Sequence, residues 1–591
     1  MFSVIPFLIY PYLSRTYLYL IGRSAPNTDS NSILSDKTKT WLDDIQKSYD
    51  IPGLAVSIVT SPSSSHSNTT QFKPADRFHS ETLTFGFRNL NGDPLTSDSL
   101  FSIGSNTKLF VAISVGLLID KNITLHNGET LDWTTRIIDV LPSWGLVDKQ
   151  AEGETTIQDL LLMRTGVPFH PYAPNHADSS SLLNMMSHLP PSSHFRNKWQ
   201  YNNDNYLILA HIVSVLSRQP FTDFLQYNFL EPLGMTSALF DPIEAKWTGK
   251  RSDAILRIGK GMEIVSSNSD GRQIKLQGQK RNIDWWTKGK GESMWGSAGL
   301  IMSINDVTRW LQELLSPTLI TQSILEKCAE DQISADNLLL PDTVNCSYGY
   351  GQWTSNYRGY KVLIHYGYML GQHTLFARLP DEGIAIGAMN LGDGIGFRVN
   401  RAIVYTLLDE LLGLEKKDWQ ESILDTWVLE QVQEHADLIN KAVDSPQQMD
   451  EIDVRIQGSY HHPAWNSLHF RRFLTSSHDL SLGQLLQAQT MLGPPSFVAA
   501  MPGREDWYIL LHSNGAQYIW TIIQLHDDHR LTEVIENGIV RVLGRGSAAI
   551  NEDGMGMFGG FWSFDSATFK YYAEGKDPKA DAEVWFDRLN S

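Results

Sequence analysis

One short segment places the strongest constraint on how this chain folds. Residues 101–108 read FSIGSNTK, and the apolar run 109–115 follows directly. This pattern predicts a short extended approach, a turn at Gly104 and then a helix whose first turn carries Ser105 and Lys108. Because residues at i and i+3 share one face of a helix, the Ser105 hydroxyl and the Lys108 amine can meet.

The pairing of a serine with a lysine has a defined chemical use. A serine hydroxyl is a weak nucleophile unless a neighbour takes its proton, and a buried lysine with a lowered pKa can do so. The N-terminus of a helix also favours negative charge on the Ser105 oxygen. An S-x-x-K pair alone is common on solvated helix faces, so its meaning depends on the motifs that accompany it.

Composition sets the class of protein. A length of 591 residues predicts two or three domains. The net charge of −18 argues against a nucleic-acid partner, because no excess of Lys and Arg is present to neutralise phosphates. The only cysteines, Cys328 and Cys346, exclude a disulfide framework and a cysteine-based zinc site. We expect two free thiols, and one disulfide between them is the alternative.

The N-terminal segment is apolar but broken. Residues 2–13 are apolar and aromatic, Pro6 and Pro11 interrupt them, and no Lys or Arg precedes them. Such a segment is a poor signal peptide and too broken for a membrane span. We therefore expect no firm membrane association and favour a cytoplasmic over a secreted location. An atypical anchor or leader and a disordered extension are the alternatives.

The first large domain is predicted over residues 37–415, after an N-terminal extension and linker at 1–36. A helix begins near Lys37, and a strand at 51–59 has an antiparallel partner at 83–87. Further strands are predicted at 360–364, 374–379 and 383–389, and a helix at 398–412. Strands at both ends with helices between them predict an α/β (α+β) fold, with one antiparallel sheet flanked by helices and an all-helical subdomain.

The rest of the chain changes character. Residues 416–450 are predicted as a helical linker, with a helix over 419–443. Residues 451–591 show short alternating strands, which predict a β-rich domain of barrel or sandwich type. The predicted strands of this domain are 467–473, 507–512, 518–525 and 531–542.

A second motif adds groups that can work with the Ser105 and Lys108 pair. Residues 199–206 read WQYNNDNY and lead into a predicted helix. Tyr201 placed beside Ser105 can act as a phenolate base and then as an acid toward the leaving group. A nearby cation would help to hold the pKa of Tyr201 down. Asn203 can donate to a substrate carbonyl and orient the lysine.

A third motif, His365-Tyr366-Gly367-Tyr368, is predicted at the end of a strand. The glycine allows a substrate to lie against the strand edge. The backbone N–H of Tyr368, paired with that of Ser105, can form an oxyanion hole.

Taken in order, S-x-x-K, Y-x-N and H-x-G resemble the motifs of the serine β-lactamase and penicillin-binding-protein-like hydrolases, in their class C or peptidase S12 branch. The resemblance covers roughly residues 37–415 and implies a β-lactamase/transpeptidase-like fold. Residues 458–464, GSYHHPA, resemble the opening strand of the lipocalin-like domain that many larger fungal and bacterial members carry at the C-terminus.

The resemblance implies acyl transfer through an acyl-enzyme on Ser105, with Tyr201 and Lys108 sharing the proton transfers. We expect His365 to assist substrate placement or protonation of the leaving group. His365 replaces the family's lysine, so no permanent cation is expected there, which favours esters or neutral amides. We expect a serine hydrolase acting on an ester or amide of a small metabolite. The alternatives are an acyltransferase in secondary-metabolite biosynthesis and a catalytically silent binding or scaffold protein.

No cofactor and no metal are expected. The glycine-rich residues 392–397 do not have the spacing of a dinucleotide site, and the paired histidines near 461 and 526 lack further ligands. The basic stretch 246–290 is typical of a solvated loop. The alternative is a substrate rim in which Trp285 and Trp286 supply an apolar wall. The sequence leaves the oligomeric state open.

Overall fold

The structure is a computed structural model. It describes residues 32–61, 78–175, 178–258, 262–266, 272–276, 279–285, 294–335, 343–428, 456–473, 480, 482–484, 486, 495–504, 506–514, 517–526, 539–573 and 575–589. Within these ranges, no helix has both the length and the apolar character needed to cross a membrane. The N-terminal apolar segment lies outside the described residues.

The strands are numbered in chain order. They are β1 (Gly53–Thr60), β2 (His79–Gly86), β3 (Leu100–Ser102), β4 (Ile255–Ile258), β5 (Met262–Ser266), β6 (Arg272–Leu276), β7 (Gln279–Asn282), β8 (Ile301–Ser303), β9 (Ile333–Ser334), β10 (Thr343–Tyr348), β11 (Trp353–Tyr357), β12 (Tyr360–Met369), β13 (Gln372–Leu379), β14 (Ile384–Asn390), β15 (Gly458–His462), β16 (Asn466–Arg472), β17 (Phe497–Ala500), β18 (Trp507–Asn514), β19 (Gln517–His526), β20 (Ile539–Ile550), β21 (Gly554–Phe558) and β22 (Val584–Leu589).

The helices are numbered in the same way. They are α1 (Asp36–Ser48), α2 (Thr107–Asp120), α3 (Ile137–Val140), α4 (Lys149–Glu154), α5 (Ile157–Leu161), α6 (Ser179–Met186), α7 (Asn203–Ser217), α8 (Phe221–Leu225), α9 (Pro242–Trp247), α10 (Ile304–Leu315), α11 (Gln322–Cys328), α12 (Gly396–Leu411) and α13 (Pro578–Asp581).

The first domain is built around an eight-stranded antiparallel sheet in the order β2-β1-β14-β13-β12-β11-β10-β9. Its centre joins segments that are distant in the chain, since Leu54 of β1 pairs with Asn390 of β14. The strand β1 is buried along nearly its whole length, as its continuous apolar sequence requires. The prediction of one mixed α/β fold with an antiparallel sheet assembled from both ends of the domain is confirmed.

The two faces of this sheet carry different elements. Along β12, the ring of Tyr366 packs against Phe397 of α12, with ring centroids 4.5 Å apart. The next residue, Gly367, lies against the carbonyl oxygen of Ile103, in the turn before α2. Because consecutive strand residues face opposite sides of a sheet, α12 covers one face and the turn before α2 covers the other.

Helix α2 lies at the centre of the helical region. All its residues from Thr107 to Gly116 are buried, which fits a helix that is apolar on every side. Its neighbour α7 begins at Asn203, with the side chain of Asn202 accepting from the Asp204 N–H at 2.8 Å. The two helices therefore bring residues 105–108 and 201–203 together inside the protein.

The C-terminal domain is a closed eight-stranded barrel from β15 to β22, in which β15 pairs with both β16 and β22. Large aromatic side chains fill it, among them Trp465, Trp520 and Phe561. The prediction of a β-barrel-like C-terminal domain is confirmed. Of the strand predicted over 531–542, residues 531–538 lie outside the described residues, and β20 begins at Ile539.

Three sequence-based expectations differ from the structure. Strand β12 runs to Met369 and does not end at residue 364, so the His365–Tyr368 motif lies within the strand. Strands β9, β10 and β11 were not anticipated. Of the helix predicted over 419–443, the structure shows a π-helical stretch at Gln420–Asp425 and a helical continuation to 428, and the remainder lies outside the described residues. Cys328 and Cys346 are both buried and are not joined in a disulfide, as expected.

A loop of the first domain, residues 167–175, contacts the barrel. The N–H of His170 donates to the carbonyl of Trp562 at 2.8 Å, and Arg504 Nε donates to the carbonyl of Ala173 at 2.8 Å. The ring of Tyr172, only 2% exposed, packs against Phe561 with centroids 5.6 Å apart. The loop 167–175 is therefore held by both domains.

The close approach of Ile103 to β12 makes Gly367 a test of this packing. A Cβ at position 367 would lie 1.9 Å from the Ile103 carbonyl oxygen. We expect Gly367→Ala to lower the free energy of unfolding by about 2 kcal/mol or more, because the turn before α2 must move away from the sheet. The measurement is thermal unfolding followed by calorimetry.

The matched control is Gly153→Ala, since Gly153 lies in α4 with no atom within 4 Å of an added Cβ. Alanine is the better helix former, so this variant should unfold at the same or a slightly higher temperature. Equal unfolding temperatures for the two variants would contradict the packing described here.

Candidate active site

The turn that carries Ser105 is shaped by a glycine in the left-handed region. Gly104 has φ = +55°, a conformation that side chains disfavour, and it opens a 3₁₀ turn over Gly104–Asn106 that leads into α2. The Thr107 hydroxyl donates to the Gly104 carbonyl at 2.8 Å and closes the turn. Residues at i and i+3 eclipse in such a turn, so Ser105 and Lys108 still share one face.

Three of the predicted residues meet at the Ser105 hydroxyl. Lys108 Nζ lies 3.0 Å from Ser105 Oγ, and the Tyr201 hydroxyl donates to the same oxygen at 2.6 Å. Lys108 Nζ also lies 4.8 Å from the centroid of the Tyr201 ring. The serine oxygen is therefore in contact with an amine on one side and a phenol on the other.

Lys108 is fully buried and surrounded by oxygen atoms. Its Nζ donates to Asn203 Oδ1 at 2.6 Å and to the carbonyl of Ser297 at 2.9 Å. Burial lowers the pKa of Lys108 well below its usual value, and the nearby charge of Asp204 opposes this only in part. Since both oxygens are pure acceptors, a neutral amine can donate its two N–H bonds to them and turn its lone pair toward Ser105 Oγ.

Tyr201 is also buried, and burial shifts its pKa in the direction opposite to that of Lys108. Burial raises the pKa of Tyr201 far above its usual value, and the hydrogen bond to Ser105 offsets only part of this rise. This differs from the expectation that a nearby cation would lower that pKa. The physical reason is that a buried phenolate loses its hydration, while the lysine beside it is itself held neutral by burial.

The start of α7 positions both Tyr201 and Asn203. Asn202 is fully buried, and its Nδ2 donates to the carbonyls of Val167 and Pro168 at 3.2 and 2.9 Å. The side chain of Asn202 thus links the N-terminus of α7 to the loop that enters the barrel. Asn203, the next residue, keeps its Oδ1 on Lys108, so it orients the lysine as the sequence suggested.

His365 lies in a closed aromatic environment. Its Nδ1 is 2.7 Å from the carbonyl of Tyr366, so this nitrogen carries the proton, and its Nε2 accepts from the Tyr348 hydroxyl at 3.3 Å. Its ring lies 4.4 Å from that of Trp353. Burial is the largest cause that lowers the pKa of His365, to about 3, so the imidazole is neutral near pH 7.

Gly367 and Tyr368 form the edge against which the Ser105 turn packs. A Cβ on Gly104 would lie 2.6 Å from the backbone nitrogen of Tyr368, which shows how closely the two backbones approach. The buried Asn106 amide, oriented to match its neighbours, donates to the His365 carbonyl at 3.1 Å and accepts from the Gly367 N–H at 3.3 Å. The Tyr368 N–H therefore lies beside the turn that holds Ser105.

Of the predicted tryptophan wall, the structure describes Trp285, and the wall stays a prediction. Trp285 Nε1 donates to the carbonyl of Ser252 at 2.7 Å, and the Arg251 guanidinium lies 5.1 Å above its ring. Its neighbours Leu100 and Ile301 belong to the strands before and beside the Ser105 turn. Trp285 thus supports β3, and Trp286 lies outside the described residues.

Other residues at the site were missed from the sequence. The Ser297 carbonyl contacts Lys108, Phe169 lies edge-on to Tyr201 at 6.4 Å, and Arg541 of β20 donates to the Tyr368 hydroxyl at 2.7 Å. The run of small residues around Ser297 was a visible signal in the sequence. Phe169 and Arg541 lie in segments with no local pattern that marks them.

In the part of the chain that the structure describes, no group of three His, Cys, Asp or Glu residues is placed to hold a metal ion.

Comparison with known proteins gives the class of this site. Residues 38–406 match the family model described as Beta-lactamase, so the chain belongs to the beta-lactamase family and is a β-lactamase-like serine hydrolase. A relative named unguisins hydrolase, from Aspergillus campestris (strain IBT 28561), is 24% identical over 438 residues, which cover 71% of this chain and 74% of the relative.

Two further proteins are similar to this chain, one in sequence and one in fold. A putative D-alanyl-D-alanine carboxypeptidase of Escherichia coli (strain K12) is 25% identical over 234 residues, 37% of this chain and 52% of the relative. The solved structure of the octameric penicillin-binding protein homologue from Pyrococcus abyssi has a similar fold, with a TM-score of 0.50 and 14% identity. The match covers 94% of this chain and 99% of that chain.

The neutral state of His365 leads to a pH prediction. Because the pKa of His365 is about 3, the ring does not titrate between about pH 5 and pH 8. We expect the rate at which a fluorophosphonate labels Ser105 to follow a pH curve of the same shape in the wild type and in His365→Asn. This rate should fall with falling pH in both, as Lys108 takes up a proton.

The control for this measurement is His194→Asn, which replaces an exposed histidine. An inflection between pH 5 and pH 8 that is present in the wild type and in His194→Asn, and absent from His365→Asn, would show that His365 titrates in this range.

Proposed function

We propose that the protein cleaves an ester or a neutral amide of a small metabolite through an acyl-enzyme on Ser105. The observation that carries this proposal is the chain of contacts from Tyr201 through Ser105 Oγ to Lys108 and Asn203. It supplies a nucleophile, a buried amine and a phenolic proton at one point. Intact groups at each of these positions argue against a silent scaffold.

In the first step, Lys108 Nζ takes the proton of Ser105 as Oγ attacks the carbonyl carbon of the substrate. The lowered pKa of Lys108 favours this role, and the raised pKa of Tyr201 disfavours a phenolate as the first base. The backbone N–H groups of Ser105 and Tyr368 stabilise the negative charge on the carbonyl oxygen.

In the second step, the bond to the leaving group breaks and the Tyr201 hydroxyl gives its proton to the leaving oxygen or nitrogen. The Lys108 ammonium formed in the first step returns a proton to Tyr201, which restores both side chains. Water then attacks the ester on Ser105, and Lys108 again accepts a proton. The acid is released and Ser105 regains its hydroxyl.

The surroundings of His365 support an ester or neutral amide over an anionic substrate. The ring is buried and neutral, with both nitrogens engaged by Tyr366 and Tyr348, so it offers no cation to a carboxylate.

The names of two relatives, unguisins hydrolase and D-alanyl-D-alanine carboxypeptidase, support hydrolysis over acyl transfer to a second metabolite.

The test measures the intact mass after exposure to a fluorophosphonate and, separately, turnover of p-nitrophenyl butyrate. We expect a single adduct on the wild type and none on Ser105→Ala. Lys108→Met should lower the rate of ester turnover by at least about 10³-fold, because the base is removed. The control is Lys121→Met, an exposed lysine at the end of α2, which should retain about the wild-type rate.

The other outcomes separate the alternatives. Stable acylation of Ser105 without turnover would contradict hydrolysis and favour the acyltransferase. The absence of any adduct would contradict the acyl-enzyme itself and leave the binding or scaffold role.

A further inference from the structure

A segment of the C-terminal barrel reaches the side of the site that holds Tyr201. The carbonyl of Trp562 accepts from the His170 N–H at 2.8 Å. Three residues later, the Asp565 carboxylate lies 3.9 Å from Lys198 Nζ, shortly before Tyr201 in the chain. The segment between these two anchors therefore crosses the rim of the site and carries Phe564 with it.

The base of this segment is held by a buried carboxylate. Glu583 is 1% exposed and accepts from the N–H groups of Gly559 at 3.1 Å, Gly560 at 3.0 Å and Phe561 at 2.5 Å. Several charge-assisted hydrogen bonds to one carboxylate fix the backbone that donates them. The position of Phe564 is thus set from both ends.

Phe564 extends a row of aromatic rings that begins at the nucleophile. Tyr201 donates to Ser105, Phe169 meets the Tyr201 ring edge-on with centroids 6.4 Å apart, and Phe564 lies 5.7 Å from Phe169. Phe564 is nevertheless 62% exposed. The row therefore forms a continuous apolar wall from Ser105 to the surface.

An exposed aromatic side chain on a fixed backbone keeps apolar surface in contact with water at an energetic cost. Sites that bind small molecules are lined by apolar and aromatic side chains around a few polar groups. The exposed ring of Phe564 adjoins the polar groups at Ser105 through Phe169, which matches this description.

We propose that Phe564 and Phe169 form an apolar subsite on the Tyr201 side of Ser105. It receives an aromatic or branched aliphatic side chain that lies next to the scissile ester or amide bond. This inference rests on the proposed function and adds the substrate class to it. It also makes the C-terminal barrel a contributor to substrate selection.

The experiment compares the p-nitrophenyl esters of N-acetylphenylalanine, in each enantiomeric form, and of N-acetylglycine. For the wild type we expect kcat/KM to be higher for the preferred phenylalanine ester than for the glycine ester. In Phe564→Ala the ratio of the two kcat/KM values should fall about ten-fold, because about half of an aromatic contact is lost. Phe564→Leu should keep most of the preference.

The control variant is Tyr571→Ala, which removes another highly exposed aromatic ring of the barrel domain, one that lies 6.4 Å from the ring of Phe569. Its substrate ratio should equal that of the wild type. Fluorophosphonate labelling of Ser105 in Phe564→Ala shows that the variant is folded and its nucleophile intact.

The outcomes keep the two proposals apart. A wild type that turns over neither ester and is not labelled would contradict the proposed function. A wild type that hydrolyses both esters without preference, or a Phe564→Ala variant with an unchanged ratio, would contradict the subsite alone.

Discussion

The burial of Lys108 is the constraint on which the chemistry of this protein depends. A charged ammonium buried among apolar side chains is costly, so burial lowers the pKa of Lys108, and the surroundings of α2 give its amine two carbonyl oxygens, from Asn203 and Ser297. The same burial removes water from Tyr201 and keeps its proton in place. Burial thus favours Lys108 as the proton acceptor and Tyr201 as the proton donor among the groups that contact Ser105.

The rest of the site depends on close contact between the backbone of the Ser105 turn and that of β12. The Ser105 turn packs on β12 because Gly104 and Gly367 have no side chains to separate them. The barrel then encloses the site from two sides, through Phe564 near Tyr201 and through Arg541 on the Tyr368 hydroxyl. The barrel therefore contacts residues of the candidate active site as well as being a folded unit of its own.

The sequence predicted what short-range spacing determines. Ser105 and Lys108 meet because of helical periodicity. The contact of Asn203 with Lys108 joins residues far apart in the chain and was expected from the second motif. Properties that depend on the folded environment could not be predicted from the sequence. The acidity of Tyr201 follows from burial, the length of β12 from a backbone contact, and Phe564 reaches the site by packing between residues far apart in the chain. No local pattern records such contacts.

The order of strands in the central sheet has a consequence for biosynthesis. Ser105 emerges from the ribosome early, but its turn packs on β12, and the sheet is joined only when Leu54 meets Asn390. Pairing over such a separation is slow and cannot begin before the later strands have been translated. A nascent chain consequently carries Ser105 without the strand on which its turn packs, and the surroundings of this serine are complete only after the first domain has been translated.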